Sequence, residues 1–260
     1  MVDIKKISEE VLRELEAQEK ASPRPCPIQG QGARVRDVTC AEVPRKLEHS
    51  LLVADMTREK LLAECQVARQ WGVGAVCVAP YYVEEAAQAL AGTNVAVCAA
   101  IGFPSAFMST EAKVADVRAC TNAGATELDI AVDIAAVKSG NWNKVTRDFG
   151  AAVDAARGRA LVKAVFEHGS YNESEKEQVL LLAKRCGVDY VKVQNMTSGV
   201  GARVEEIFLV RQILGRNVKI KIDGGVKTLD KALELFTAGA DRIGLTATAK
   251  VAAEAMERAR

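Results

Sequence analysis

The sequence predicts an α/β fold: a single (β/α)8 TIM barrel with an N-terminal helical extension. Three observations lead to this prediction. Eight short apolar runs follow one another from about residue 47, polar stretches with helical periodicity separate them, and glycines end several of those stretches. Eight strand–helix units in about 200 residues close most simply into a barrel of parallel strands. A doubly wound open sheet is the alternative, although no run is followed by the GxGxxG turn that often opens such a sheet.

Each apolar run has the length of a strand that is buried on both faces. Strands of a parallel sheet read as nearly continuous apolar segments, because helices cover the outer face of the sheet. The runs are LLVA (51–54), AVCVAP (75–80), VAVCAAIGFP (95–104), ELDIAVDI (127–134), ALVKAVFEHG (160–169), VDYVKVQN (188–195), VKIKIDGG (218–225) and RIGLTAT (242–248).

The stretches between the runs have the periodicity of amphipathic helices. Clear examples span residues 57–72, 174–187 and 228–240. Glycine often follows the last turn of a helix, since it adopts the left-handed conformation that ends the turn. Four glycines stand shortly before apolar runs in this way: Gly72, Gly124, Gly187 and Gly239.

The chain before the barrel divides into a predicted helix and a linker. Residues 4–20 place apolar side chains at helical spacing, and residues 21–34 are rich in proline and glycine. We therefore expect residues 1–46 to form a helical extension with its linker, and residues 47–260 to form the barrel domain. The helix is expected to act as a lid over one barrel end or as a dimer contact, and the chain is expected to be a homo-oligomer, a dimer or larger.

The composition argues against several classes of function. Lys and Arg number 35 against 34 Asp and Glu, so no global charge attracts nucleic acid or an anionic membrane. No apolar stretch approaches the length of a membrane span, and the N-terminus lacks a signal-peptide core. Seven cysteines at irregular spacing and only two histidines argue against a disulfide framework and a zinc site. We expect a cytoplasmic protein that binds a small molecule and needs no metal.

Two lysines lie inside apolar runs and are the strongest functional signal. Lys192 occurs in VDYVKVQN and Lys221 in VKIKIDGG, and a lysine is rarely buried unless it is paired or catalytic. Burial and a neighbouring cation both lower the pKa of an ammonium group, so the neutral amine that attacks a carbonyl would exist near pH 7. This arrangement predicts Schiff-base chemistry with no other cofactor.

Further polar residues share the predicted barrel interior with these lysines. Alternate residues of a strand share a face, and neighbouring strands lie about 4.8 Å apart. Lys192 and Lys221 on strands 6 and 7 are therefore expected to approach each other, with Asp129 and Lys163 on the adjoining strands 4 and 5. Buried ion pairs without a catalytic role are the alternative, but each unneeded buried charge costs several kcal/mol.

These residues stand in blocks that resemble the deoxyribose-phosphate aldolases, a family of class I aldolases on the TIM barrel. The resemblance extends from about residue 47 to residue 250, with the blocks in the family's order. They are LEHSLLVADMT (47–57), VCVAPYYV (76–83), AAIGFPSAFMSTEAK (99–113), ELDIAVDIAAVKSGNW (127–142), LVKAVFEHGSYNESEK (161–176) and KIDGGVKTLDKALELFTAGADRIG (221–244).

The resemblance implies a role for each polar residue of the interior. Lys192 matches the lysine that forms the Schiff base, and Lys221 matches the second lysine, which lowers the pKa of its neighbour. Asp129 matches the aspartate that transfers protons while the carbinolamine forms and collapses. Lys163 matches a lysine of the same polar network. No metal takes part in this mechanism.

The chain departs from the family around the substrate. The family's K-T-S-T-G reads KVQNMTSGVGA (192–202), Asp223 replaces a small neutral residue, and Ala247 stands where a serine near the phosphate is expected. We therefore hypothesise a related substrate without the phosphate; the alternative is that Asp223 points sideways and caps a helix. The expected substrate-binding residues are Lys163, Ser50, Gln194, Ser198, Gly199, Asp223, Gly224, Gly225 and Thr246.

The sequence thus predicts an aldehyde-lyase that cleaves or forms a C–C bond beside a lysine-bound carbonyl. Deoxyribose 5-phosphate, cleaved to acetaldehyde and glyceraldehyde 3-phosphate, is the reference substrate, and a related small sugar or aldehyde is the variant. Two other functions stay open. One is a sugar or sugar-phosphate isomerase with Asp129 or Glu167 as base, or another iminium enzyme on the same barrel. The other is a non-catalytic paralogue that binds a small molecule.

Overall fold

Eight parallel strands form a closed barrel, as the sequence predicts. The computed structural model describes residues 38–196 and 199–260. All neighbouring strands are parallel and follow in chain order, and β8 pairs with β1 to close the sheet. The strands are β1 (Leu47–Ser50), β2 (Ala75–Val78), β3 (Ala96–Ile101), β4 (Glu127–Ala131), β5 (Leu161–Glu167), β6 (Tyr190–Gln194), β7 (Lys219–Asp223) and β8 (Arg242–Leu245). The fold class predicted for the barrel is confirmed, and an open sheet is excluded.

Helices alternate with the strands and cover the outside of the barrel. They are α1 (Arg58–Trp71), α2 (Val83–Ala89), α3 (Thr110–Asn122), α4 (Ile134–Lys138), α5 (Trp142–Ala156), α6 (Glu173–Cys186), α7 (Val204–Leu214), α8 (Leu229–Ala238) and α9 (Thr248–Arg258). Between β4 and β5 the short α4 precedes α5, so this connection carries two helices.

The helix ends follow the local chemistry of the sequence. Thr57 caps α1 through its side chain, which accepts a hydrogen bond from the Lys60 amide, and Asn172 with Glu175 forms a capping box at α6. Gly72 follows α1 with φ of +59°, a left-handed conformation in which a side chain is strained. These signals set where the helices stop and the barrel strands begin.

The hydrophobic core lies between the strands and the helices, not inside the barrel. Val191 and Val193 of β6, and Ile220 and Ile222 of β7, are fully buried and alternate with the lysines. The apolar residues therefore face the helices, whereas Lys192 and Lys221 face the barrel interior. Because helix packing supplies the apolar burial, the interior is available for charged groups.

Two strand boundaries differ from those predicted. β1 is LEHS, so the apolar run LLVA follows the strand instead of forming it. The sequence pattern missed this because Glu48 and His49 are polar yet buried: Glu48 contacts cations in the interior, and His49 bonds to Thr248 and Glu64 on the outside. β4 ends at Ala131, three residues before the end of its predicted run at 134.

Asp133 consequently does not belong to the barrel interior. Its side chain caps α4 by accepting a hydrogen bond from the Ala136 amide at 2.9 Å. It also pairs with Lys144 at 2.8 Å. The predicted strand run 127–134 included Asp133 and was wrong there, because this residue caps a helix after the strand has ended at Ala131.

The predicted N-terminal helix at 4–20 and its linker lie outside the described residues. Single turns of 3-10 helix at Cys40–Glu42 and Pro44–Lys46 lead into β1. Within the part of the chain that the structure describes, no helix is long and apolar enough to cross a membrane.

Candidate active site

The barrel interior holds a network of buried charges in which cations and anions balance. Its members come from six of the eight strands, and each contacts at least one group of opposite charge. The cations are Lys163, Lys192, Lys221 and Arg242, and the carboxylates are Glu48, Glu127, Asp129 and Asp223. A balanced set lowers the cost of burying each charge, since every desolvated ion has partners nearby.

The strand register places Lys192 beside Lys221, as predicted. The two residues are partners across β6 and β7, and Asp129 and Lys163 are partners across β4 and β5. Asp129 joins all three lysines: its Oδ2 lies 2.9 Å from Lys192 Nζ and 2.7 Å from Lys221 Nζ, and its Oδ1 lies 2.9 Å from Lys163 Nζ. The four residues that the sequence brought together thus form the centre of one network.

Asp129 stays ionised in this environment. Burial by itself raises the pKa of the carboxyl group, but the ammonium groups of Lys163, Lys192 and Lys221 hold its pKa well below the usual range. Glu48 behaves in the same way: burial opposes ionisation, yet Lys163 and Lys221 lower its pKa to about 2. Both groups are therefore ionised at neutral pH.

The prediction of a low pKa for Lys192 was wrong for the free protein. Burial is the largest influence and lowers the pKa, and Lys221 lowers it further. The carboxylates of Asp129 and Asp223 outweigh both and raise the pKa of Lys192 above its ordinary value. The prediction took the neighbouring cation into account but not the second carboxylate. Because the pKa is raised, the resting amine carries a proton that must leave before the amine attacks a carbonyl.

Asp223 occupies a position that neither sequence-based reading anticipated. Its Oδ2 lies 2.9 Å from Lys192 Nζ and 3.6 Å from Lys221 Nζ, so the side chain points into the barrel. It does not cap the following helix, since Thr228 caps α8. A Cβ at Gly244 of the neighbouring β8 would overlap Asp223 Oδ1, so glycine there makes room for the carboxylate.

An aromatic wall adjoins Lys192. Its Nζ lies 4.8 Å from the ring centroid of Phe103, which follows β3. Phe103 also packs on the buried side chains of Ala106, Ala131 and Val165. A cation over an aromatic face is stabilised, and the same surface can shield a small carbonyl compound from water. The sequence analysis missed Phe103 because it lies in an apolar run, although its place directly after a strand was a usable signal.

The remaining members of the network form ion pairs with one another and with the central residues. Lys163 is fully buried and also contacts Glu127 at 2.7 Å and Glu48 at 3.3 Å. Arg242 pairs with Glu48 at 3.2 Å and with Glu127. Glu127 and Arg242 were not singled out in the sequence. A signal was present for both: Glu127 lies two residues before Asp129 on the same strand, and Arg242 pairs with Lys221 across β7 and β8.

Four interior side chains are close enough together to be considered as metal ligands. Glu48, Cys77, Cys98 and Asp129 offer ligand atoms within 4.8 Å of one another. Burial, then the contact with Cys77 and the charge of Asp129, raises the pKa of the Cys98 thiol well above its usual value. Metal binding needs deprotonated ligands, and both carboxylates already contact ammonium groups. The cluster therefore fits an ion-pair network better than a metal site.

The other predicted substrate residues are spread over the carboxyl end of the barrel. Ser50 is half-buried at the end of β1. Gln194 is buried and donates a hydrogen bond to Glu167 Oε2 at 2.9 Å. Thr246 is exposed after β8. These three residues stand apart from the salt bridges of the central network.

The glycines after β6 and β7 form the other part of this end. Gly199, Gly224 and Gly225 are exposed and have φ of +67°, +114° and +69°. Gly224 accepts a hydrogen bond from the Ala202 amide at 3.0 Å, which ties the loop after β6 to the loop after β7. Ser198 lies outside the described residues.

Comparison with known proteins points to the same chemistry. A family model described as DeoC/LacD family aldolase matches residues 44–250. The chain is 39% identical over 202 residues to the deoxyribose-phosphate aldolase of Geobacillus sp. (strain WCH70), which covers 78% of this chain and 91% of that protein. It is 41% identical over 198 residues to the deoxyribose-phosphate aldolase of Brevibacillus brevis, which covers 76% and 89%.

A solved structure agrees with the fold at similar coverage. The structure described as QR15, an aldolase, superposes with a TM-score of 0.79 at 28% identity and covers 84% of this chain and 97% of its own. A closed barrel with paired interior lysines and these relatives define the class of protein, an aldolase of the lyase type. The chain belongs to the DeoC/LacD family of aldolases.

Proposed function

We propose that the chain is a class I aldolase in which Lys192 forms a Schiff base with a small carbonyl substrate. The observation that carries the proposal is the position of Lys192 Nζ, 2.9 Å from carboxylate oxygens of both Asp129 and Asp223 and beside the Phe103 ring. Imine formation needs a buried amine beside a group that moves protons, and Asp129 is that group in this proposal. The iminium then acts as an electron sink, which lowers the barrier to breaking the adjacent C–C bond.

Asp129 and Lys221 are the proposed partners of Lys192. The resting ammonium must lose a proton before it attacks, and Asp129 Oδ2 contacts both lysine nitrogens at 2.9 Å and 2.7 Å. Asp129 can therefore carry protons between the two amines while the carbinolamine forms and loses water. Lys221 lowers the pKa of Lys192 and offsets part of the effect of the carboxylates.

Lys163 is proposed to position these groups instead of touching substrate. Its side chain is fully buried and all its contacts, to Cys98 and to the carboxylates, lie within the network. It therefore holds Asp129 from the side away from Lys192. The covalent imine supplies the electron sink, so the proposed mechanism uses no cofactor and no metal.

The proposed substrate is a small deoxy sugar that is cleaved to acetaldehyde and a glyceraldehyde. The named relatives at 39% and 41% identity support this substrate class. Support for a weak role of phosphate comes from the side chains at the expected phosphate end. Ala247 offers no hydroxyl where the family that the chain resembles is expected to have a serine near the phosphate. The glycine pair 224–225 can offer a phosphate only its backbone amides.

Deoxyribose and deoxyribose 5-phosphate are therefore expected to be cleaved with kcat/KM values within about tenfold of each other. Tenfold is about 1.4 kcal/mol, which is less than one charge-assisted hydrogen bond typically contributes. Coupled assays of acetaldehyde release with each sugar measure the ratio. A larger preference for the phosphate ester would contradict the proposed substrate and leave the Schiff-base proposal intact.

Reduction with borohydride tests the Schiff base itself. The protein mixed with acetaldehyde and sodium borohydride is expected to gain one ethyl group, and peptide mass spectrometry is expected to locate it on Lys192. An isomerase that uses Asp129 or Glu167 as base, and a non-catalytic binding protein, would gain no adduct at Lys192. The absence of an adduct in the folded protein refutes the proposed function.

A further inference from the structure

Asp223 is the carboxylate that lies between Lys192 and the open end of the barrel. It is the last residue of β7, two residues beyond Lys221 toward the carboxyl end, where barrel enzymes bind substrate. Its side chain is 16% exposed, whereas Asp129 and Glu48 are fully buried. Among the carboxylates that contact Lys192 in the described part of the chain, Asp223 is thus the one a bound substrate can reach.

The distances place Asp223 within reach of the reacting carbon. An imine on Lys192 keeps its nitrogen at the position of Nζ, and the α carbon of the bound carbonyl compound lies two bonds away, about 2.5 Å. Asp223 Oδ2 is 2.9 Å from that nitrogen. A proton-transfer group must lie within hydrogen-bond distance of the proton it moves, and a carboxylate oxygen 2.9 Å from the imine nitrogen can reach a proton on the α carbon.

The bonding of Asp223 also differs from that of Asp129. Both oxygens of Asp129 contact lysine ammonium groups. Asp223 contacts lysines only through Oδ2, and its buried Oδ1 has no hydrogen-bond partner among the described residues. Gly244 on β8 accommodates that oxygen, which occupies the place that a side chain at this position would take. Asp223 can therefore take up a proton on Oδ1 without losing an ion pair, whereas a proton on Asp129 displaces one of its contacts with a lysine.

We propose that Asp223 is the acid–base residue that moves the α proton of the Lys192-bound substrate. In the synthetic direction it removes a proton from the α carbon of the iminium. The C–H electron pair becomes the C=C bond of the enamine, the C=N⁺ electron pair returns to nitrogen, and the proton stays on the carboxyl group. In the cleavage direction the protonated carboxyl group returns the proton to the enamine carbon.

This inference rests on the proposed Schiff base, and one probe separates the two. Acetaldehyde in D₂O reports enamine formation by loss of the methyl ¹H signal in NMR, and borohydride reports imine formation with the same compound. In Asp223→Asn the amide keeps the size of the side chain and an oxygen toward Lys192. We expect the borohydride adduct at Lys192 to form as in the parent protein, while deuterium incorporation falls by about 100-fold or more.

Asp230→Asn is the matched control, because Asp230 is an exposed residue of α8 that pairs with Arg258. It is expected to leave both readouts unchanged. A fall smaller than about 100-fold in Asp223→Asn with an unchanged adduct overturns the role of Asp223, since another group then moves the proton. Loss of the adduct in this variant also overturns it, since Asp223 would act in imine formation. Failure of the parent protein to form an adduct instead refutes the proposed function.

Discussion

Replacing Lys192 with alanine is expected to reduce the rate of aldol cleavage by about 10⁴-fold or more and to abolish the borohydride adduct. The change removes the amine that is proposed to form the imine, and the contacts of Asp129 with Lys163 and Lys221 remain. We expect Lys221 not to replace this amine, because it is held by the carboxylates of Glu48, Asp129 and Asp223. Single-turnover cleavage and intact-mass analysis after reduction measure the two effects.

Lys250→Ala is the control for this experiment. Lys250 lies on α9 with its side chain 60% exposed, so its removal changes the number of lysines without touching the barrel interior. It is expected to retain activity and the adduct. Activity within about tenfold of the parent in Lys192→Ala would show that another amine forms the imine, and the adduct site would identify it.

Replacing Lys221 with leucine is expected to destabilise the fold by about 3–5 kcal/mol and to move the pH optimum upward by about one unit. The stability effect follows from the charge balance: Glu48 and Asp129 both lose a partner, and the buried network keeps one uncompensated negative charge. Urea denaturation at neutral pH, with the same slope for both proteins, measures the loss.

The shift of the pH optimum follows from the pKa of Lys192. Lys221 lowers this pKa, while Asp129 and Asp223 raise it. Without Lys221 the pKa of Lys192 rises further, so the neutral amine becomes available only at higher pH. The pH profile of kcat/KM should therefore move toward alkaline values as activity falls. An unshifted profile would contradict the role given to Lys221.

Lys219→Leu separates these effects from the mere loss of a lysine on β7. Lys219 is two residues before Lys221 on the same strand, but it is exposed. Its removal is expected to change the free energy of unfolding by no more than about 0.5 kcal/mol and to leave the pH profile in place. A comparable loss of stability in this variant would mean that strand propensity, and not the buried charge, determines the effect.

The sequence located the centre of the site because residue alternation and strand order are local properties. Lys192 and Lys221 could be assigned to one face of adjacent strands from a period of two alone. The register that pairs Lys192 with Lys221 and Asp129 with Lys163 agrees with that assignment. The expected homo-oligomer and the N-terminal helix stay predictions.

The predicted strand boundaries were wrong where polar residues are buried or where a polar side chain caps a helix. The apolar pattern did not reveal β1, because Glu48 and His49 are polar. Each is buried through partners that lie far away in the chain. Asp133 was assigned to a strand although it caps a helix. In each of these cases the partner is set by packing, which a window of neighbouring residues does not contain.

The sequence by itself determined the barrel, the order of its strands and the lysine pair in its interior. Only the tertiary structure decided the protonation of Lys192 and the direction of Asp223. Both depend on distances between strands that are remote in the chain: Asp129 on β4 and Asp223 on β7 lie at the same 2.9 Å from Lys192 on β6. At such distances in this buried site, the attraction of the two carboxylates outweighs the desolvation of the Lys192 ammonium. The sequence names these residues but does not contain the distances between their charged atoms.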